Sequence, residues 1–241
     1  METDVLIVGG GVAGLTAGIF TARAGLETLV VTGDESILRR NAHLENYPGF
    51  PAGVDSRLLV DMTREQAQRA GCEFAEGRVS QITRVEANDA SDGESEGFEV
   101  ATEDGEVYRT ERVIAASWSD SSYLEALDVE LDRRGSKAFV ETDGEGRTAV
   151  EGLYAAGRIA KQYHQAVIGA GHGAEVALTL IHDSDVHFYN DWVVPEGYFT
   201  DRGREVPPGC EEITDEERER RAEASREEMR EWFAEPYGEA P

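Results

Sequence analysis

Lysine is nearly missing from this 241-residue chain: Lys137 and Lys161 are the only two, and Lys and Arg total 23 against 49 Asp and Glu, a formal charge of −26. Such a surface repels a polyanion, so nucleic acid is not expected as a partner. Heavy acidity with arginine favoured over lysine predicts an acidic, halophilic protein from a salt-rich cytoplasm, where counterions screen self-repulsion. Cysteine is scarce too. Cys72 and Cys210 lie far apart and form no CxxC pair, which excludes a disulfide framework and a dithiol redox motif. No apolar run is long enough to span a bilayer, and strand-like residues begin almost at the N-terminus, so no membrane contact, no signal peptide and a cytoplasmic location are expected. His172, His182 and His187 show no ligand spacing, and no metal is predicted.

Glycine, by contrast, is abundant and placed with purpose. The apolar residues Val5 to Val8 run into Gly9-x-Gly11-x-x-Gly14, followed by a helical pattern over 13–24 that ends at Gly25 and a second strand over 28–32. This is the order of a dinucleotide-binding strand–helix–strand unit. Gly9 permits the tight turn, Gly11 lets a pyrophosphate approach the backbone, and Gly14 lets the helix lie close to its strand. The amides of Val12 and Ala13 at the helix start then face the phosphates.

Beyond this unit, 33–50 reads as loop and 57–70 as a helix closed by Gly71. Strands over 79–85, 98–101 and 107–109, separated by a turn region at 88–97 and by Asp104-Gly105, predict a β-meander. A buried strand over 112–116, an acidic hairpin-like stretch at 142–147, a strand at 152–156 and a Gly/Ala-rich helix over 165–181 follow. Residues 182–241 differ in character, with an aromatic portion at 188–199, a Pro207-Pro208-Gly209 break and a charged helix over 215–233. Thr214 and Glu217 have capping-box spacing, and Ala222, Met229, Trp232 and Phe233 form a narrow stripe that docks the helix by its last turns. The tail aromatics are expected to pack on the body, or to cover a bare flank of the cofactor site. The expected fold is α/β: a Rossmann-like domain over 1–181 with a mostly parallel sheet plus a β-meander, and a C-terminal helical tail over 182–241.

Four segments together resemble the low-molecular-weight thioredoxin reductases, FAD-dependent pyridine nucleotide-disulfide oxidoreductases. They are the glycine turn with Ala22-Arg23-Ala24-Gly25, the stretch Glu45-Asn46-Tyr47-Pro48-Gly49, the strand Gly152 to Gly157, and Gln165-Ala166 followed by Gly169-Ala170-Gly171. The resemblance implies FAD as cofactor, with Gly9, Gly11, Val12, Ala13, Gly14, Thr32, Asn46, Gly157, Arg158, Gln165 and Ala166 at its site, and it implies pairing as a homodimer. In that family an NADPH domain carrying the CxxC interrupts the FAD domain. Here Ala116-Ser117-Trp118 runs almost at once into Ser122-Tyr123-Leu124, so halves 1–117 and 122–181 are joined directly.

Four places depart from the resembled pattern. The family's Ala-Gly-Asp is Ala156-Gly157-Arg158 here, and a guanidinium, having donors but no acceptor, can serve a ribityl oxygen or the pyrophosphate only by donating. The Ala-Thr-Gly strand end is Ala115-Ala116-Ser117, and the acid that often closes the second strand is Thr32-Gly33, with Asp34 and Glu35 just beyond. His164 stands where the family has an arginine, as a surface histidine or a charge beside reduced flavin. Cys72 reads as a small buried group, and Cys210 as a thiol in an exposed turn. No catalytic acid, base or nucleophile is read. The expected function is an FAD-dependent oxidoreductase fed by a separate electron donor and serving a separate acceptor. It is not by itself an NADPH-dependent thioredoxin reductase. The alternative is a non-catalytic flavin- or nucleotide-binding partner module.

Overall fold

The computed structural model describes residues 2–85, 96–135, 137–187 and 190–238. Its first three elements are β1 (Glu2–Val8), α1 (Val12–Arg23) and β2 (Thr28–Thr32). β1 alternates between two buried faces: Val5 and Ile7 join the core under the helices, while Leu6 and Val8 join a second core on the opposite face. A strand covered on both sides reads as a continuous apolar run, which is why this one was visible in sequence.

The central sheet adds β3 (Glu73–Glu76), β4 (Val79–Val85), β5 (Gly97–Thr102), β6 (Val107–Ala115) and, after a separate antiparallel hairpin of β7 (Leu131–Arg134) and β8 (Lys137–Val140), β9 (Leu153–Ala155). Its order is β3-β2-β1-β6-β5-β4, with β9 also beside β6. β3, β2, β1, β6 and β9 are parallel, and β4, β5 and β6 make the antiparallel meander. The two strands expected at 107–109 and 112–116 are one. Residues Val107 to Thr110 pair with β5, and the strand continues along β1 to Ala115. At the polar run Thr110-Glu111-Arg112 the pairing with β5 ends, and β9 takes over as the second neighbour from Val113. Part of the predicted turn at 88–97, and Phe188 and Tyr189, fall outside the described residues.

Two further helices, α2 (Ser56–Ala70) and α3 (Ala166–His182), pack with α1 on one face of the sheet. Asp55 caps α2, accepting from the amides of Arg57 (2.8 Å) and Leu58 (3.3 Å), and Gly71 closes it in the left-handed region at φ 110°. α3 lies close against α1 because Gly173 has no side chain: a Cβ there would stand 2.9 and 3.0 Å from the carbonyl carbon and Cα of Ala13, and nearer still to its oxygen. Cys72 is buried, and burial pushes its thiol up to about 12, so it is an inert packing group.

The tail ends in the expected helix and also carries two short strands. β10 (Trp192–Pro195) and β11 (Cys210–Ile213) form a parallel two-stranded ribbon before α4 (Asp215–Trp232). Cys210 is not in an exposed turn; it opens β11, partly buried, with its Sγ 3.4 Å from the Asn190 carbonyl. Thr214 caps α4 by accepting from the Glu217 amide at 3.2 Å, but the Glu217 carboxylate turns to Arg220 and Arg221 instead of closing the box. α4 docks by its last turns: Trp232 packs on the helical core, Phe233 lies 6.3 Å from the Phe50 ring, and Glu228 pairs with Arg69 at 2.9 Å. Ala222 is exposed and takes no part. Trp192 and Tyr198 remain partly exposed while Phe199 is buried, so the described tail aromatics are not uniformly core contacts. Among the described residues no helix is long and apolar enough to cross a membrane, and no cluster of three or more metal-ligating side chains occurs.

Candidate functional site

A cleft opens at the C-terminal ends of the parallel strands, where an α/β sheet holds its ligands. Gly9, Gly11, Val12 and Ala13 form one wall, and Gly157, Arg158, Gln165 and Ala166 form another. The three motif glycines are glycines for separate reasons. Gly9 has φ +113° and a Cβ there would stand 2.8 Å from the Ala116 carbonyl oxygen. A Cβ at Gly14 would strike the Gly9 carbonyl. At Gly11 the nearest atom would be Ser36 Oγ at 3.6 Å, so a side chain would meet little protein and would instead stand in the cleft. That position is kept clear for a ligand. Leu15 is the first helix amide to bond back, to Gly11 O at 2.9 Å, which leaves the first-turn amides, among them Val12 and Ala13 on the cleft wall, for an anion.

A second helix end faces the same space. Gln165 precedes α3 with no side-chain cap, and the amide of Gly169 is the one that bonds back to it, at 2.9 Å. Each N-terminus carries about half a positive elementary charge, so two of them favour negative charge in the cleft. Asn46 donates from Nδ2 to Gln165 Oε1 at 2.8 Å, joining two residues 119 positions apart that the sequence placed at one site. Gly157 is fixed from both sides: its amide donates to His172 Nδ1 at 2.9 Å, and a Cβ on it would stand 2.7 Å from Ala13 Cβ. His172 supports the site through Gly157 and is not legible in sequence, because a ring nitrogen accepting from a backbone amide leaves no spacing signal. Burial lowers its pKa, which keeps that nitrogen free to accept.

Arg158 lies along aromatic rings, its guanidinium carbon 4.8 Å from the Phe139 centroid and 5.9 Å from that of Trp118. Its Nη1 donates to Gln162 O at 2.9 Å, while its buried Nε has no partner among the described residues. His164 meets Trp118 edge-on at 4.3 Å. Desolvation lowers the His164 pKa, and Arg158 and Lys137 add to the effect, so this ring resists the positive charge considered for it.

The other end of the cleft is organised by Arg78, which pairs with Asp120 (2.8 Å), Asp34 (3.0 Å) and Glu103 (3.5 Å). Thr32 lies beneath the glycine turn: a Cβ on Gly10 would strike its methyl, and its hydroxyl turns to Glu76 Oε2 at 3.2 Å. Ser117, where the resembled family has glycine, is accommodated because its Oγ bonds the Asp120 carbonyl (3.0 Å) and the buried Tyr123 hydroxyl (2.8 Å). The residues lining the cleft run no further than Gly169, so among the described residues the tail does not screen it.

Residues 53–174, half of the chain, match the family model described as pyridine nucleotide-disulphide oxidoreductase. The chain belongs to that family. Residues 4–41, holding the glycine turn and the first strand–helix–strand unit, match the FAD binding domain model, and FAD is accordingly the cofactor of this family member. A thioredoxin reductase of Aquifex aeolicus (strain VF5) is 40% identical over 116 residues, which cover 47% of this chain and 33% of that protein. A bifunctional thioredoxin reductase/thioredoxin of Mycobacterium leprae (strain TN) is 34% identical over 144 residues, covering 58% and 30%. The chain thus spans about a third of the length of these curated relatives. Among solved structures, an oxidoreductase from Agrobacterium tumefaciens superposes with a TM-score of 0.65 at 16% identity, over 76% of this chain and 98% of that one. Lactococcus lactis thioredoxin reductase gives 0.64 at 15%, over 75% and 98%. At such identities these two establish the fold alone. The cleft fits the family's cofactor: a glycine kept clear, free amides at two helix ends and a guanidinium on the lining with no carboxylate partner among the described residues suit a dinucleotide.

Proposed function

We propose that this family member is a flavoprotein oxidoreductase whose FAD exchanges electrons with a separate donor and a separate acceptor, without a nicotinamide-binding domain of its own. The observation that supports this reading is the short passage out of β6. Between Ala115 and β7 at Leu131 the chain carries one single-turn helix, Ser122–Leu124, and the described residues contain one nucleotide-type sheet. A second nucleotide domain needs on the order of 100 residues.

FAD, when bound, supplies electron-transfer chemistry that no side chain here can provide. The protein's own part is to hold it. Gly11 and the α1 amides receive the diphosphate, the α3 N-terminus favours negative charge beside it, and the Asn46–Gln165 pair ties the 45–49 loop to that helix end. Neither cysteine is placed for disulfide exchange: Cys72 is buried, and Cys210 belongs to the tail ribbon.

The test is anaerobic titration of the flavin-loaded chain. NADPH is expected to leave the visible flavin absorbance unchanged while dithionite bleaches it, and NADPH with thioredoxin is expected to give no disulfide reduction. Stoichiometric bleaching by NADPH would overturn the proposal. Flavin binding without turnover against any donor and acceptor pair would favour the binding-module alternative.

A further inference from the structure

Arg158 is unusual among the arginines of this acidic chain. Most of them sit within 4 Å of a carboxylate, and Arg78, the other cleft arginine, is held by three. Among the described residues Arg158 has no such partner. It bonds only the Gln162 carbonyl through Nη1 and rests on Phe139 and Trp118, while the edge bearing Nε has no acceptor although that atom is out of contact with water. The same residue lines the cleft, so its guanidinium meets a ligand bound there with no carboxylate competing for it. The neighbouring residue shows where that ligand lies: Gly157 packs directly on Ala13, in the first turn of α1, at the wall where the free amides collect.

We propose that Arg158 is the diphosphate clamp of this FAD site, its guanidinium, which lines the cleft, pairing with the phosphates received by the N-terminus of α1. The inference rests on the assignment of FAD to this cleft. A planar guanidinium suits phosphate oxygens, which it can engage with two parallel hydrogen bonds, better than the neutral hydroxyls of a ribityl chain. It also explains how a protein with a formal charge of −26 admits a dianionic group. An acid at this position serves a hydroxyl; in a surface so negative, an arginine free of carboxylates serves the anion.

The experiment measures FAD affinity by flavin fluorescence and the diphosphate environment by 31P NMR of the bound cofactor, in wild type, R158K, R158Q and R158D. Thermal unfolding of each apo chain serves as the folding control. The clamp predicts a Kd for FAD raised roughly 10- to 100-fold in R158Q, more in R158D and less in R158K, with the bound diphosphate resonances displaced in all three. An unchanged Kd in R158Q overturns the clamp, as does tighter binding in R158D. A raised Kd with unmoved phosphorus resonances overturns it in favour of a ribityl contact. Failure of the wild-type chain itself to bind FAD refutes the cofactor assignment, a result distinct from any of these.

Discussion

Two glycines two residues apart on α3 should respond to the same substitution with opposite signs. Gly173 faces α1, and a Cβ there would stand 2.9 and 3.0 Å from backbone carbons of Ala13. Carbon contacts relax to about 3.6 Å, so α1 and α3 must separate by roughly 0.7 Å, and by more at the Ala13 oxygen. Backbone cannot rotate aside as a side chain can, so Gly173→Ala should incur the upper part of the overpacking range, about 3 kcal/mol. Better helix propensity returns about 1 kcal/mol, for a net loss of about 2. Gly171 is exposed with nothing within 4 Å of its added Cβ. There the same change brings only the propensity gain, about 1 kcal/mol. For a chain of this size these values correspond to a fall of roughly 4–8 °C for G173A and a rise of roughly 2–4 °C for G171A. Thermal unfolding by circular dichroism, in one buffer and at one salt concentration, reads both. Because Ala13 also lines the cleft, G173A should bind FAD more weakly than G171A. A G173A chain as stable as wild type would show that α1 and α3 are not in the contact described, and the placement of Ala13 would fall with it.

Other expectations follow from single contacts. His172 has a folded pKa lowered from its ordinary 6.5, so as pH drops below about 6.5 the unfolded chain takes up a proton that the folded chain refuses, and stability is lost until pH passes the depressed folded value. The difference in unfolding free energy between wild type and H172Q should therefore shrink across that window, and a difference constant from pH 8 to pH 5 would contradict the buried neutral ring. Asp55→Ala removes the cap of α2 and should cost about 1 kcal/mol in denaturant unfolding, whereas a neutral result would deny the cap. Trp232→Ala should cost about 2 kcal/mol, because the ring is only partly buried against the body, and should leave FAD affinity unchanged. A loss of flavin binding would place the tail at the cleft after all. The excess of 49 acids over 23 basic residues predicts a melting temperature that rises between about 0.05 and 2 M KCl; independence of salt would count against a halophilic surface.

The strand–helix–strand unit was legible because three of its signals are local: an apolar run buried on both faces, glycines with distinct steric tasks, and a helix ending at Gly25. The joining of Asn46 to Gln165 followed from motif resemblance alone, since no local property of either residue specifies a partner 119 positions away. What stayed hidden was of two kinds. The tail ribbon escaped notice because β10 and β11 are four-residue strands whose pairing is parallel and separated by a long loop, with no alternation to announce it. His172, Arg78 and Trp118 escaped because their roles lie in contacts with backbone or with residues far along the chain. Arg158 stands out in sequence as a departure, but only the structure shows that among the described residues it has no carboxylate partner and that it lines the cleft.

The central claim is that FAD lies in the cleft between the N-termini of α1 and α3. Its most direct test is to load the purified chain with FAD, remove the free cofactor by gel filtration and record the visible spectrum against protein concentration. The account expects a yellow protein with one flavin per chain and a raised melting temperature. A colourless chain that shows no thermal shift with excess FAD would contradict it.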